Sequence, residues 1–281
     1  MAGQVTRIRL AGIVALSLAL SGCGMFQQRA EDPGLEALTP EQIFRLGESE
    51  MESGNPDDAA VTFSEIERLY PYSAWAERAL IMQAFAHHRD RDYENSRAAA
   101  QRYIDFYPTD EDAAYAQYLL ALSYYDQIDE VGRDQGLTFQ ALQALREVIE
   151  RYPDSEYANS AILKFDLAFD HLAAKEMEIG RYYLRHGHFT AAINRFRVVV
   201  EEFQTTTQTP EALHRLVEAY LSLGLTDEAQ TAGAILAYNY QGTEWYKDTY
   251  TLLAKRDLQA QAKGDSWLRQ IYRQTVRGQW L

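Results

Sequence analysis

Cysteine is nearly missing from this chain, which has only one, Cys23, among its 281 residues. A lone thiol cannot build a disulfide framework, even in an oxidising compartment. The length is sufficient for one or two globular domains or for one elongated array of repeats.

Positive charge is scarce as well. The chain has 27 Lys and Arg against 41 Asp and Glu, which gives a formal net charge of −14. Proteins that bind nucleic acid need basic patches that neutralise phosphates, so an acidic body argues against nucleic acid as a partner.

Motifs of catalysis and metal binding are missing too. The sequence has no Gly-x-Ser-x-Gly, no phosphate-binding loop and no His-Glu-x-x-His. His186 and His188 resemble a metal pair, but no Cys or pair of acidic ligands lies near them in the sequence, and Gly187 between them is a turn residue. We therefore predict no metal, no cofactor and no enzymatic activity, and we expect the protein to act by binding.

The N-terminus carries the most informative pattern. Arg7 and Arg9 precede an apolar run (10–20) that is too short to span a bilayer as a stable helix. The last residue of this run begins the sequence Leu-Ser-Gly-Cys (20–23), which resembles a bacterial lipobox. We predict that residues 1–22 are a lipoprotein signal peptide and that Cys23 is lipidated. The alternative is an ordinary signal peptide beside a chance cysteine.

A lipidated Cys23 tethers the mature chain to a membrane without spanning it, because two or more acyl chains anchor a protein stably. In Gram-negative lipoproteins an Asp after the cysteine favours retention at the inner membrane. Gly24 stands there instead, which favours the outer membrane, on its periplasmic face. Residues 27–38 are polar and include Pro33, so we predict a flexible tether over residues 23–38.

Three Tyr-Pro pairs punctuate the middle of the chain, at residues 70–71, 107–108 and 152–153. Each pair closes an apolar helical stripe and is followed by a residue that favours a helix start, because proline cannot continue a helix. Pro71 and Pro108 are 37 residues apart, and a repeat of that length indicates a helical solenoid.

The tetratricopeptide template of 34 residues fits these prolines at its last position. Small residues of the template let the two helices of a repeat approach closely, and a phenylalanine fills the wedge between them. We predict an all-α tetratricopeptide-repeat superhelix over residues 39–241, with about five helix-turn-helix repeats; the alternative is a generic helical bundle. The residues in register include Gly47, Phe63, Ala84, Tyr103, Ala121, Leu145, Gly180, Phe196, Leu216 and Ala229.

Two segments depart from the regular period. Residues 155–186 contain no proline and no glycine before Gly180, so we predict one long helix there. Residues 242–281 form a C-terminal helical extension; from Glu244 onward it has seven Lys and Arg against four Asp and Glu. An apolar stripe that includes Trp267 and Leu268 predicts an amphipathic helix. We expect it to cap the solenoid, and binding of an accessory subunit or of lipid headgroups is the alternative.

The template also predicts a binding surface. The first helix of each repeat lines the concave face of a tetratricopeptide superhelix, and many residues at the positions that point into it are aromatic. Such a groove fits an extended peptide with bulky apolar side chains and a free carboxylate. The alternative is that half of these rings pack between neighbouring repeats. The predicted groove residues are Phe44, Phe85, His88, Arg89, Tyr118 and Tyr125.

The lipobox, the short tether, the five repeats and the Tyr-Pro pairs together resemble the BamD (ComL/YfiO) family of outer-membrane assembly lipoproteins. The resemblance covers nearly the whole mature chain to about residue 241, and residues 182–195 are similar to the family's fourth-repeat turn. It implies a scaffold that binds the barrel subunit BamA, other barrel-assembly subunits and unfolded outer-membrane proteins. Arg195 is the BamA contact that the resemblance implies.

Shorter relatives lack residues 242–281, so the resemblance assigns no role to this extension. The alternative function is that of a different periplasmic tetratricopeptide lipoprotein, which scaffolds cell-wall enzymes. A hydrolase with a degenerate site is a weaker alternative.

Overall fold

The computed structural model describes residues 34–277. The predicted signal peptide, Cys23 and the tether up to residue 33 lie outside the described residues, as do residues 278–281. The described part contains twelve α-helices and no strand, so the prediction of an all-α fold is confirmed. The helices are α1 (Pro40–Glu52), α2 (Pro56–Leu69), α3 (Ala74–Arg89), α4 (Tyr93–Phe106), α5 (Ala113–Tyr125), α6 (Gly136–Arg151), α7 (Glu156–Arg185), α8 (Phe189–Glu202), α9 (Thr209–Leu223), α10 (Thr226–Asn239), α11 (Glu244–Ala254) and α12 (Trp267–Arg277).

The helices up to α10 pack as an array of pairs. Each helix packs mainly against the helices before and after it in the chain. The first helices of successive pairs, α1, α3, α5 and α7, also contact one another. This is the contact pattern of a helix-turn-helix repeat array, in which each repeat touches only its neighbours.

The three Tyr-Pro pairs end helices as predicted. Helices α2, α4 and α6 stop one residue before Tyr70, Tyr107 and Tyr152, whose N–H groups still donate to the carbonyl four residues back. The proline that follows each tyrosine has no N–H to donate, so the helix cannot continue.

The last residues of the predicted tether are folded. Residues 35–37 form a 3-10 turn, and Leu35 and Leu38 pack against the core of the first repeat. The Tyr70 hydroxyl donates a hydrogen bond to the Leu38 carbonyl at 2.7 Å. The prediction of a flexible segment is therefore wrong for residues 35–38, because two leucines find apolar partners beneath them.

Glycines at the crossing points set how closely paired helices approach. A Cβ atom on Gly47 would lie 2.7 Å from the ring of Phe63, and one on Gly180 would overlap the ring of Phe196. Both phenylalanine rings are fully buried. The predicted wedge of a phenylalanine against a small residue is confirmed in the first and fourth repeats.

Helix α7 is a single helix of 30 residues, as the sequence predicts. Its first half packs against α6 and its second half against α8. Ala161 belongs to the core that joins α3 to α7, whereas Met177 belongs to the core that runs from α6 to α12. Residues 34–277 thus contain three apolar cores, and one helix connects two of them. The remaining core joins α1, α2 and α3.

The C-terminal extension covers the last repeat. Leu253 of α11 and Leu268 of α12 are buried in the same core as α9 and α10. Helix α11 contacts α9 and α10, and α12 lies on α10. The Trp267 indole donates to the Tyr220 hydroxyl at 3.1 Å. The extension thus packs as the cap that the sequence predicts.

The wedge at Gly47 yields a stability prediction. We expect Gly47→Ala to destabilise the fold by about 1–3 kcal/mol, because the added methyl group overlaps a fully buried ring in a close-packed crossing. The measurement is thermal unfolding by circular dichroism, with a fall of about 2–4 °C per kcal/mol.

The matched control is Gly242→Ala, because a Cβ atom on Gly242 meets nothing within 4 Å and its φ is not positive. Equal melting temperatures for the two variants would contradict the importance of the wedge.

Candidate functional site

The predicted groove lies along α1, α3, α5 and α7, which are adjacent first helices of the repeats. The structure distributes the predicted groove residues over α1, α3 and α5. Their surroundings decide which of them are available to a ligand.

Phe44 is a core residue, and its prediction as a groove residue is wrong. Its side chain is 4% exposed, with its ring 5.3 Å from that of Phe63 and 5.0 Å from that of Trp75. The Arg78 guanidinium lies over both Phe44 and Trp75, at 5.4 and 5.1 Å. The side chains from the start of α3 therefore cover the position that the template assigns to the concave face.

Phe85 and Arg89 form a pair at the end of α3. The Phe85 ring is half-buried, and the exposed Arg89 guanidinium lies 5.8 Å from its centre. No described carboxylate lies within ion-pair distance of Arg89. As far as the described residues go, Arg89 is a cation without an acidic partner beside an apolar ring, an arrangement suited to recognition of a peptide carboxylate.

His88 is engaged within the chain. Its Nε2 lies 3.2 Å from Oδ2 of Asp126, and its ring meets Tyr93 edge-on at 5.4 Å. Burial lowers the pKa of His88 below its ordinary value, although Asp126 opposes the shift. His88 is thus mainly neutral at neutral pH, which leaves Arg89 as the group that can bind a carboxylate.

Tyr118 and Tyr125 bridge neighbouring repeats. The Tyr118 ring stacks on Tyr157 of α7 at 5.4 Å, and the Lys164 ammonium lies 5.5 Å from the centre of the Tyr125 ring. Both tyrosines are half-buried and retain some exposed surface. Burial raises the pKa of the adjacent Tyr115 to about 12.

Tyr157 and Lys164 are groove neighbours that the sequence analysis missed. They lie on the first half of α7, which packs beside α5 as the first helix of another repeat would. The template indicated no repeat between Pro153 and the fourth repeat, so these positions were assigned only to a long helix. Their spacing of seven residues, which is two helical turns, was the available signal.

Arg195 lies on α8 and forms an ion pair within the chain. Its Nη1 is 2.9 Å from Oε2 of Glu176 on α7, and its side chain is 42% exposed. The structure thus gives Arg195 an internal partner and a surface that remains open to a second one.

The turns of the fourth and fifth repeats lie close together near one exposed surface. Gly187 and Leu223 help to line a cleft of about 510 Å³. Tyr182 is 52% exposed, and its ring lies 4.2 Å from that of His186. Gly187 has φ +75, which confirms its role as a turn residue. This surface contains aromatic rings that a partner can cover.

Two further properties concern residues 34–277, namely metal binding and membrane crossing. Within that range, no group of three or more His, Cys, Asp or Glu is arranged to hold a metal ion. No helix in the same range is long and apolar enough to cross a membrane.

Comparison with known proteins gives a consistent family. A family model described as "Outer membrane lipoprotein" (YfiO) matches residues 36–235. The outer membrane protein assembly factor BamD of Caulobacter vibrioides is 46% identical over 242 residues, which cover 85% of this chain and 78% of that relative. The protein of the same name in Rickettsia prowazekii is 37% identical over 245 residues, which cover 87% of this chain and 96% of that relative.

Among solved structures, a thermophilic TPR protein of Thermus thermophilus gives a TM-score of 0.36 at 20% identity, over 77% of this chain and 100% of that chain. The repeat fold therefore rests on the helix packing described above. The family match ends before α11 and α12. On the basis of the match to most of its repeat array, this chain belongs to the YfiO family of outer membrane lipoproteins.

Proposed function

We propose that the chain is a lipid-anchored scaffold of the β-barrel assembly machine, located on the periplasmic face of the outer membrane. In this role it binds BamA and unfolded outer-membrane proteins and promotes the folding and insertion of the latter. The proposal rests on the family match and on relatives that are named outer membrane protein assembly factors. The activity is binding, not catalysis.

The anchor is tested by Cys23→Ser. We expect the variant to remain folded and to lose its association with membranes, because lipidation of Cys23 is the proposed attachment and two acyl chains are needed for stable anchoring. The measurement is fractionation of cells that produce the variant or the unchanged chain.

Fractionation in cells depleted of BamA separates lipid anchoring from attachment through a partner. If Cys23→Ser still sediments with outer membranes there, the anchor is located elsewhere.

The BamA contact is proposed at the surface formed by the turns of the fourth and fifth repeats, with Arg195 beside it. Tyr182 at this surface is exposed, and the partly exposed Arg195 follows on α8, six residues after Phe189. Tyrosine and arginine are residue types that are enriched at interface hot spots. The pair between Arg195 and Glu176 holds the guanidinium in place for a second carboxylate supplied by the partner.

Arg195→Glu is expected to weaken association with BamA by about tenfold or more, because it replaces an attractive charge at the interface with a repulsive one. The measurement is titration of purified BamA periplasmic domains against the variant.

The double variant Arg195→Glu with Glu176→Arg is the matched control, since it restores the internal ion pair in reverse. We expect it to recover any lost stability but not the lost affinity. Recovery of BamA binding in the double variant would mean that Arg195 supports BamA binding only through its internal ion pair with Glu176 and does not contact BamA itself.

The peptide site is proposed along the half-buried rings of α3 and α5, with Arg89 at one end. C-terminal segments of unfolded barrel proteins alternate apolar residues and often end in an aromatic residue with a free carboxylate. Phe85, Tyr118 and Tyr125 offer apolar contacts to the side chains. Arg89, which has no ion-pair partner among residues 34–277, offers its positive charge to the carboxylate. Phe44 is excluded from this set by its burial.

Phe85→Ala combined with Tyr125→Ala is expected to weaken peptide binding at least about tenfold, because one buried aromatic anchor contributes about 2 kcal/mol. The measurement is fluorescence anisotropy of a labelled C-terminal peptide. The control is Phe106→Ala with Tyr238→Ala, which removes the same residue types at exposed positions of second helices.

The carboxylate contact is tested by amidating the C-terminus of the peptide. Amidation should weaken binding of the peptide to the unchanged chain. It should not weaken binding to the Arg89→Gln variant any further, because that variant lacks the guanidinium that pairs with the carboxylate. An equal loss on both proteins would place the carboxylate at a different residue.

A further inference from the structure

Three arginines form a row on the outer face of α12. Arg269, Arg273 and Arg277 are spaced four residues apart, so they lie on one side of the helix over about 12 Å of its length. The buried residues Leu268 and Ile271 lie on the opposite side. Arg273 and Arg277 are exposed, Arg269 is half-buried, and α12 contains no acidic residue.

These arginines are not neutralised by described carboxylates. Every ion pair among residues 34–277 joins groups that lie between Glu36 and Glu218. Arg269 donates to the carbonyl of Ala262 at 3.3 Å, and the Arg277 guanidinium lies 5.9 Å from the ring centre of Tyr272. The outer face of α12 is therefore a strip of positive charge on a protein whose net charge is −14.

We propose that this arginine row binds the headgroups of anionic phospholipids in the membrane that holds the chain. The inference rests on the proposed anchor at Cys23, which keeps the protein at the bilayer surface and raises the local concentration of headgroups. Basic side chains near an anionic membrane surface are each attracted to it, and the attraction acts within about one Debye length.

A protein partner fits this face less well than a membrane does. Protein interfaces depend on aromatic or apolar anchors that become buried at their centre. The large apolar residues at the start of α12 point inward: Leu268 is fully buried, and Trp267 donates to Tyr220 and lies 4.9 Å from the Arg197 guanidinium. Between the arginines, the outer face offers glutamine, as at the exposed Gln270. A charged, polar strip without an anchor is typical of contact with headgroups.

The experiment uses the full lipidated chain with Gln261→Cys, at an exposed position just before α12 and outside the arginine row. This cysteine provides the one free thiol because Cys23 is acylated. A donor dye on this thiol reports energy transfer to an acceptor lipid in vesicles. One set of vesicles contains only phosphatidylcholine, and the other contains phosphatidylglycerol as one lipid in three. We expect higher transfer in the anionic vesicles at low salt, and we expect 1 M NaCl to remove the difference, because the Debye length falls to about 3 Å.

The test variant adds Arg269→Gln, Arg273→Gln and Arg277→Gln, and should lower the equilibrium constant for placing α12 at the bilayer about a hundredfold. The matched control is Arg45→Gln, Arg133→Gln and Arg185→Gln, which changes the net charge equally at exposed positions elsewhere. Matching circular dichroism melts establish that both variants are folded.

Equal transfer in the two kinds of vesicle, or equal loss in the test and control variants, would overturn the proposal. Transfer that rises only after other assembly subunits are added would also overturn it, in favour of a protein partner. Flotation in 1 M NaCl tests the anchor separately. A chain that floats only with anionic vesicles at low salt would refute the anchor and still support the arginine row.

Discussion

Contact between a glycine and a phenylalanine ring, where two helices cross, is the constraint on which the repeat array depends. At Gly47 and Gly180 the ring occupies the space that any Cβ atom would need. The distance between the paired helices is therefore set by the ring thickness and not by two interlocking side chains. Because each repeat touches only its neighbours, a change of distance in one pair alters the position of every later pair. The first helices α1, α3, α5 and α7 also contact one another directly, and these contacts align them along one face.

Local signals predicted most of the helices and repeats, because they are encoded within a few residues. Each of the three Tyr-Pro pairs of this chain ends a helix, because proline cannot continue one. Residues 155–186 lack proline and have no glycine before Gly180, and Glu156–Arg185 form one continuous helix. The template register placed Phe63 and Phe196 correctly in the wedges. These features need no knowledge of distant parts of the chain.

The site was harder to predict, because exposure depends on the neighbouring repeat. Phe44 occupies a template position of the concave face, but Trp75 and Arg78 of the next repeat cover it. His88 was predicted as a groove residue, but its ring lies against Asp126 and Tyr93 of the same chain. The template specifies the direction in which a side chain leaves its own helix. It does not specify which side chains of the next repeat cover that position. The functional roles of the remaining groove residues and of Arg195 stay predictions.

Helix α7 spans the boundary between the two candidate surfaces. Tyr157 near its start contacts the predicted peptide groove, and Glu176 in its second half holds Arg195. A continuous helix of 30 residues is about 45 Å long and resists bending, because its backbone hydrogen bonds run without interruption. The surface around Tyr157 and the surface around Arg195 are therefore supported by different turns of one continuous helix. A substitution that breaks this helix in its middle would alter the support of both surfaces, whereas one in either terminal turn would alter mainly the surface nearest to it.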